Sequence, residues 1–270
     1  MTIMKKMPKL ATLLLSGFVG LFTLATIACT GPIRKAVEQS NALAQHALDV
    51  QEIQNVMSKH AYYYAAGERQ RELDDIWAMQ TQGVSWGTDE GFWVDAKEIQ
   101  PYYVRYFDTV RARELAPFNK MHPEVKENHG PSMFQVNSNP VIEIAGDGYT
   151  AKGLWCSLGQ VIETQGGKPV PTYVWEQHGV DFYKPDKNWK IWHFFVHVDG
   201  VAAPGQSAVP GPGGQGALAG LTSDAPAPSV RVPRDDKGAG PYATPSGYLK
   251  VPQPYRTFSL TFSYGPPNDR

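Results

Sequence analysis

Apolar residues recur every three or four positions from Ile33 to about Ala65, through Val37, Leu43, Ala44, Ala47, Leu48, Ile53, Val56 and Met57. Side chains at that spacing share one face of a helix, so the stretch predicts a long helix. Gly67 breaks it. Glu68 to Met79 then predicts a second helix with Leu73, Ile76 and Trp77 on one face. Short strand-like pieces follow at Val84-Ser85-Trp86 and Phe92-Trp93-Val94. Asp95-Ala96-Lys97-Glu98 has capping-box spacing and opens a third helix, Ile99 to Phe107, with Pro101 near its first turn. Arg111 to Gly130 reads as a polar loop.

Beyond it the period changes to two. Ser132–Ala145 and Tyr149–Glu163 flank Gly146-Asp147-Gly148, which supplies the positive-φ residues of a hairpin turn. Val170–Tyr183 and Trp189–Val198 flank a second turn, Lys184 to Asn188. Alternation puts Trp189, Ile191, His193, Phe195 and His197 on one face of the last strand, and Lys190, Trp192, Phe194, Val196 and Val198 on the other. In the strand before it, Thr172, Val174, Glu176, His178 and Val180 oppose Tyr173, Trp175, Gln177 and Asp181. Helices first and long antiparallel strands after predict an α+β fold. The segments expected are 1–29 as an export signal or anchor, 30–49 as a tether helix, 50–200 as the working domain, 201–241 as a Pro/Gly-rich linker and 242–270 as an extended C-terminal arm.

The net charge of −1, with charged residues only 19% of the chain, removes the basic footprint of a nucleic-acid binder. Lys5, Lys6 and Lys9 precede an uncharged run from Leu10 to Ala28, the pattern of a secretory signal. The run approaches the ~20 residues that span a bilayer, so a retained anchor is the alternative. Thr26-Ile27-Ala28-Cys29 resembles a bacterial lipoprotein box. The expectation is an exported protein, periplasmic or membrane-anchored, either lipidated at Cys29 or carrying an incidental cysteine in a cleaved peptide. Cys156 is the one other cysteine, so the mature domain has no internal disulfide and no zinc spacing.

Three stretches carry a family resemblance. They are His60 to Tyr64 leading into Leu73-Asp74-Asp75-Ile76-Trp77, Asn139 to Asp147, and Gly179 to Tyr183 leading into Trp189 to Phe194. Together they resemble the SnoaL-like (polyketide cyclase-like) branch of the nuclear-transport-factor-2-like superfamily. The resemblance implies a cone-shaped curved sheet, antiparallel or mixed, wrapped around N-terminal helices. It also implies a pocket for an apolar or aromatic small molecule and, in many members, a homodimer through the sheet's outer face. Members resembling scytalone dehydratase or the dehydrochlorinases use an Asp at the end of the first helix and a His on a following strand. Those positions fall at Ala66 and near Gln135 here, so that elimination mechanism does not transfer.

The candidate chemistry is therefore read from the residues. His193 in an apolar setting suits proton transfer, with Asp181 orienting it across the hairpin and Tyr63 and Asn137 polarising a substrate oxygen. His197 lies about 13 Å along the strand at ~3.3 Å per residue, too far to share a metal ion with His193. Glu176 is a candidate base if buried, and an ordinary edge carboxylate if not. Trp77, Trp86, Tyr103, Phe107, Trp155 and Trp175 are expected to wall the pocket, with His129 and Asn128 in a loop at its mouth and Asn139, like Asn137, a donor to a substrate oxygen. No nucleotide loop, nucleophilic serine motif or metal cluster appears, so no cofactor is expected. Three functions follow: a cofactor-independent lyase, dehydratase or isomerase using histidine acid/base chemistry on an aromatic or polycyclic substrate, an exported capture protein for an apolar molecule, or a structural protein whose C-terminal arm and sheet mediate assembly.

Overall fold

The computed structural model describes residues 10–124, 133–165, 168–203, 205, 209–210, 225–231 and 249–267, and most of their side chains from Gly31 onward. The chain divides into two compact units, Met1–Leu48 and Asp49–Arg270. One helix, α1 (Leu10–Ala66), runs through the boundary. Its residues from Gly31 to Leu48 are exposed, with Arg34 paired to Glu38 at 2.8 Å. No described helix is long and apolar enough to cross a membrane.

In the larger unit, α2 (Arg69–Ile76) follows the Gly67 break, where φ is +71°. The hairpin β1 (Ser85–Thr88) and β2 (Gly91–Val94) comes next. A single helical run follows, made of α3 (Ala96–Ile99), a π-helical stretch (Gln100–Tyr106) and α4 (Phe107–Met121). Pro101 has no N–H for the regular helical ladder, and the run widens to the π form around it. The run continues well past Phe107. Arg111 to Ala116, expected as loop, are helix instead, as their good helix-forming composition allows. The Asp95 box is only half realised. Glu98 accepts from the Val94 N–H at 2.8 Å, while Asp95, at φ +62°, turns its carboxylate to the Gly83 N–H.

The long strands are β3 (Met133–Ile144), β4 (Thr150–Gln165), β5 (Lys168–Tyr183) and β6 (Lys190–Ala202), with short β7 (Val209–Pro210) and β8 (Val230–Arg231). They form a mixed sheet ordered β3-β4-β5-β6-β1-β2-β8, with β7 on β6 and β1 parallel to β6. The described parts of 201–241, expected as linker, thus extend the sheet at two places. Trp93 Nε1 also donates to the Pro226 carbonyl at 2.8 Å.

The inner face of the sheet packs on the helices. Ile53, Met57, Leu73, Ile76, Ile99 and Tyr103 meet Trp155, Val180, Phe182, Ile191, Phe194 and Val196 in one core. On the outer face lies the C-terminal arm, 249–267. It buries Tyr264 against Phe92 and Phe195. Two glycines permit its approach: a Cβ at Gly179 would lie 2.4 Å from the Tyr264 ring, and one at Gly265 would lie 2.7 Å from the His193 ring.

One irregularity sets which residues face which way. Phe182 pairs with Ile191 and Asp181 with His193, so Trp192 is an extra residue in β6. Such a bulge shifts the alternation by one. Trp189 and Ile191 face the core, and beyond the bulge Phe194, Val196 and Val198 do so, while His193, Phe195 and His197 face outward. The single uninterrupted face expected for Trp189 through His197 does not form.

Candidate functional site

Three adjacent strands bring polar side chains into register on the inner face. Asn137, Ser157 and Glu176 are direct neighbours across β3, β4 and β5, and His178 follows Glu176 on the same side. Glu176 is buried, not a solvated edge carboxylate. Its Oε2 accepts from Gln135 Nε2 at 2.7 Å and from His178 Nε2 at 3.1 Å. A carboxylate only accepts, so the His178 proton sits on Nε2 and the lone pair on Nδ1. That Nδ1 has no partner among the described residues, nor do Gln135 Oε1, Asn137 Oδ1 and Ser157 Oγ. Burial, opposed by the Glu176 hydrogen bond, holds the His178 imidazole below its usual pKa, in the neutral form.

A second buried carboxylate fixes the helix side. Glu72, fully buried, accepts from His60 Nδ1 at 2.7 Å, Trp77 Nε1 at 3.0 Å and Tyr103 OH at 2.8 Å. Burial, with Glu72 beside it, drives the Tyr103 phenol well above its ordinary pKa, so it stays a donor. His60 then places its ring 6.0 Å from that of His178 and 4.6 Å from Phe194. Trp86 continues this wall, 4.7 Å from Tyr103 and 5.1 Å from Phe194. Arg69 lies above Tyr64, its guanidinium 4.0 Å from the ring centre.

Trp77, Trp86, Tyr103 and Trp155 are thus on the interior side, as expected from the sequence, and Phe107 borders it beneath Arg69, 3.9 Å away. Asn137 joins them, donating to the Met57 carbonyl at 3.4 Å. Five other assignments do not converge there. Tyr63 turns away and donates to Asp75 at 2.6 Å; its neighbour Tyr64 points inward. Trp175, 40% exposed, faces outward on β5. Asn139 is an exposed residue of a β3 bulge with φ +51°. His197 faces outward and pairs with Asp89 at 2.7 Å. His193 does meet Asp181 across the hairpin at 2.9 Å, but on the outer face beneath the arm. There Asp181 also accepts from Lys152 Nζ at 2.6 Å, Ser263 Oγ at 2.7 Å and the Tyr264 N–H at 2.8 Å. The pair is a fastening for the arm, and the bulge at Trp192 is what put it there. Asn128, His129 and the Cys29 side chain lie outside the described residues.

Tyr64 belongs to the inward-folded aromatics that the sequence pattern expects, whereas His178, His60 and Arg69 have no role in that expectation. A signal for His178 was present, since strict alternation in β5 already set it beside Glu176. Arg69 carries none, because an arginine at a helix start reads as surface. Among the described residues, no group of three or more His, Cys, Asp or Glu side chains is placed to hold a metal ion.

No curated protein matches the chain. Among solved structures, a scytalone dehydratase-like protein of Novosphingobium aromaticivorans superposes with a TM-score of 0.44 at 10% identity, over 63% of this chain and 97% of its own. A LinA-type hexachlorocyclohexane dehydrochlorinase of Novosphingobium barchaimii gives 0.40 at 15%, over 63% and 97%. A nuclear transport factor 2-like superfamily protein of Salmonella enterica gives 0.42 at 12%, over 61% and 96%. The SnoaL-like domain family matches residues 45–194, more than half the chain and all of the helix-and-sheet arrangement from α2 into β6. The chain therefore belongs to the SnoaL-like domain family.

Proposed function

We propose that this protein is a cofactor-independent lyase or isomerase that moves a proton on a small cyclic substrate, with His178 as the base. The observation that carries this reading is the His178–Glu176 pair on the inner face. The carboxylate fixes the tautomer, and the free Nδ1 lone pair is buried among aromatic walls. In the proposed reaction Nδ1 takes a proton from a substrate carbon next to a carbonyl, and the electron pair moves toward the carbonyl as an enolate. The imidazolium then returns the proton, either to another carbon of the enolate or to a departing hydroxyl that leaves as water. Gln135 holds Glu176 in place and its free Oε1 receives a substrate hydroxyl.

The test uses the purified chain in D2O with a panel of hydroxylated cyclic ketones, reading deuterium uptake and water loss by mass spectrometry. Wild type is expected to act on at least one member, and His178→Asn to be slower by about 100-fold or more while still binding it. Binding without exchange or water loss across the panel would identify a capture protein and reject the enzymatic reading.

The cellular setting is proposed on the N-terminal pattern alone: export, with lipidation at Cys29. Mass spectrometry of the mature protein is expected to find an N-terminus at Cys29 carrying acyl chains; any other N-terminus rejects lipidation. The homodimer is proposed to form on the outer face of β3 to β5, where Phe134, Val136, Leu158, Tyr173 and Trp175 are exposed together.

A further inference from the structure

Arg69 is 8% exposed, yet no carboxylate among the described residues pairs with it, and its Nη1 has no hydrogen-bond partner there. The Glu72 carboxylate acts on it only through space, its hydrogen bonds going to His60, Trp77 and Tyr103, and a buried cation without a direct partner is costly to a fold. Three rings meet it by their faces: Tyr64 at 4.0 Å, Phe107 at 3.9 Å and Tyr103 at 4.8 Å. Such contacts soften the cost but neutralise no charge. Nor are the two phenols hidden anions. Burial pushes Tyr64 above its ordinary pKa despite Arg69, and drives Tyr103 well above it, so both are neutral.

A second donor lies in the same aromatic group. The Trp86 indole N–H is buried and unpartnered among the described residues, and its ring is 4.7 Å from Tyr103. An indole N–H only donates, and a guanidinium only donates. The open Arg69 Nη1 and the open indole N–H are both donors, one of them on a cation, and together they suit an oxygen anion. At the other end the unspent atoms, His178 Nδ1 and Gln135 Oε1, are acceptors. The rings of Trp86 and His178 each lie 5.1 Å from the ring of Phe194, which keeps the two ends within about 10 Å of each other.

We propose that the site takes a cyclic carboxylic acid that also carries a ketone and a hydroxyl: the carboxylate is held by Arg69 and Trp86, and the side of the ring bearing the ketone and hydroxyl faces His178. This rests on the interior site being the ligand site, and it names the substrate class for the reaction proposed there. Arg69 is the specificity-determining residue.

The test is calorimetric binding of 4-hydroxybenzoate against 4-hydroxybenzamide, a neutral partner of nearly equal shape, at pH 7.5. The acid is expected to bind the wild-type chain at least about tenfold more tightly, and Arg69→Met to abolish that preference. Equal affinity, tighter binding of the amide, or binding of neither overturns the inference, as does a preference that survives in Arg69→Met. If Arg69→Met fails to fold, the wild-type comparison decides, together with Trp86→Phe. That change removes the indole N–H and is expected to weaken the acid about threefold more than the amide; an unchanged ratio counts against the inference. His178→Asn should keep the preference. Preference intact with no turnover in any variant would reject the proton-transfer reading and leave this one standing.

Discussion

At the scale of single residues, the interior is governed by two carboxylates with different tasks. Glu72 is fully satisfied by three donors and is a structural anchor. Glu72→Ala would strand the His60, Trp77 and Tyr103 donors in the core. It should cost about 3 kcal/mol or more, seen as a lower denaturant midpoint with an unchanged slope. Glu176 instead spends one oxygen on Gln135 and His178 and leaves the imidazole poised. Because burial holds the His178 pKa below its unfolded value, the native state binds fewer protons than the unfolded chain as the pH nears that value. Stability linked to His178 is therefore complete above the unfolded pKa, near 6.5, and is lost as pH falls below it. Melting temperatures from pH 8 to 5 should fall toward acid, and less steeply in His178→Asn. The same protonation removes the base, so kcat/KM on any substrate found should show an acid limb below about pH 6.5 and none between pH 7 and 8.

At the scale of elements, β5 and β6 show why part of the architecture was legible in the sequence and part was not. β5 alternates without interruption, so the facing of Glu176, His178 and Val180 could be read directly. β6 is likewise rich in aromatic and β-branched residues, but Trp192 adds one residue, and nothing in Ile191-Trp192-His193-Phe194 marks the shift. Every face assigned downstream of it inverts, which moved His193 and His197 out of the interior. The inward turn of Tyr64 in place of Tyr63 has the same character: in a helix of three consecutive tyrosines, packing chooses the residue that points in, and periodicity does not. The outer-face cluster makes its own prediction. Lys152 is buried among Phe258, Phe262, Tyr255 and Tyr264, with Asp181 as its counter-charge. Asp181→Asn leaves that ammonium uncompensated and should cost about 3–5 kcal/mol. Limited proteolysis of the variant should cut the arm well before the sheet.

At the scale of the whole molecule, the described tail is part of the domain. Tyr264 Oη bonds the Lys250 carbonyl at 2.5 Å, and the Tyr255 and Arg256 carbonyls accept from the Gly146 and Asp147 N–H groups of the first hairpin turn. A chain ending before residue 249 should melt lower by several degrees and bind an apolar dye, since it uncovers Gly179, His193 and Phe195. The neighbouring apolar strip on β3 to β5 is exposed among the described residues. Light scattering should report a dimer for the wild type and a monomer for Leu158→Glu; a wild-type monomer would remove the proposed partner.

A regular strand cannot set two consecutive side chains on one side. At Trp192 this one does: the indole stacks on the His193 imidazole with ring centres 4.2 Å apart, and Phe258 lies 4.9 Å from the first ring and 6.1 Å from the second. A flaw in the ladder thus supplies a two-ring grip, and a tail with no repeating pattern of its own acquires a fixed seat.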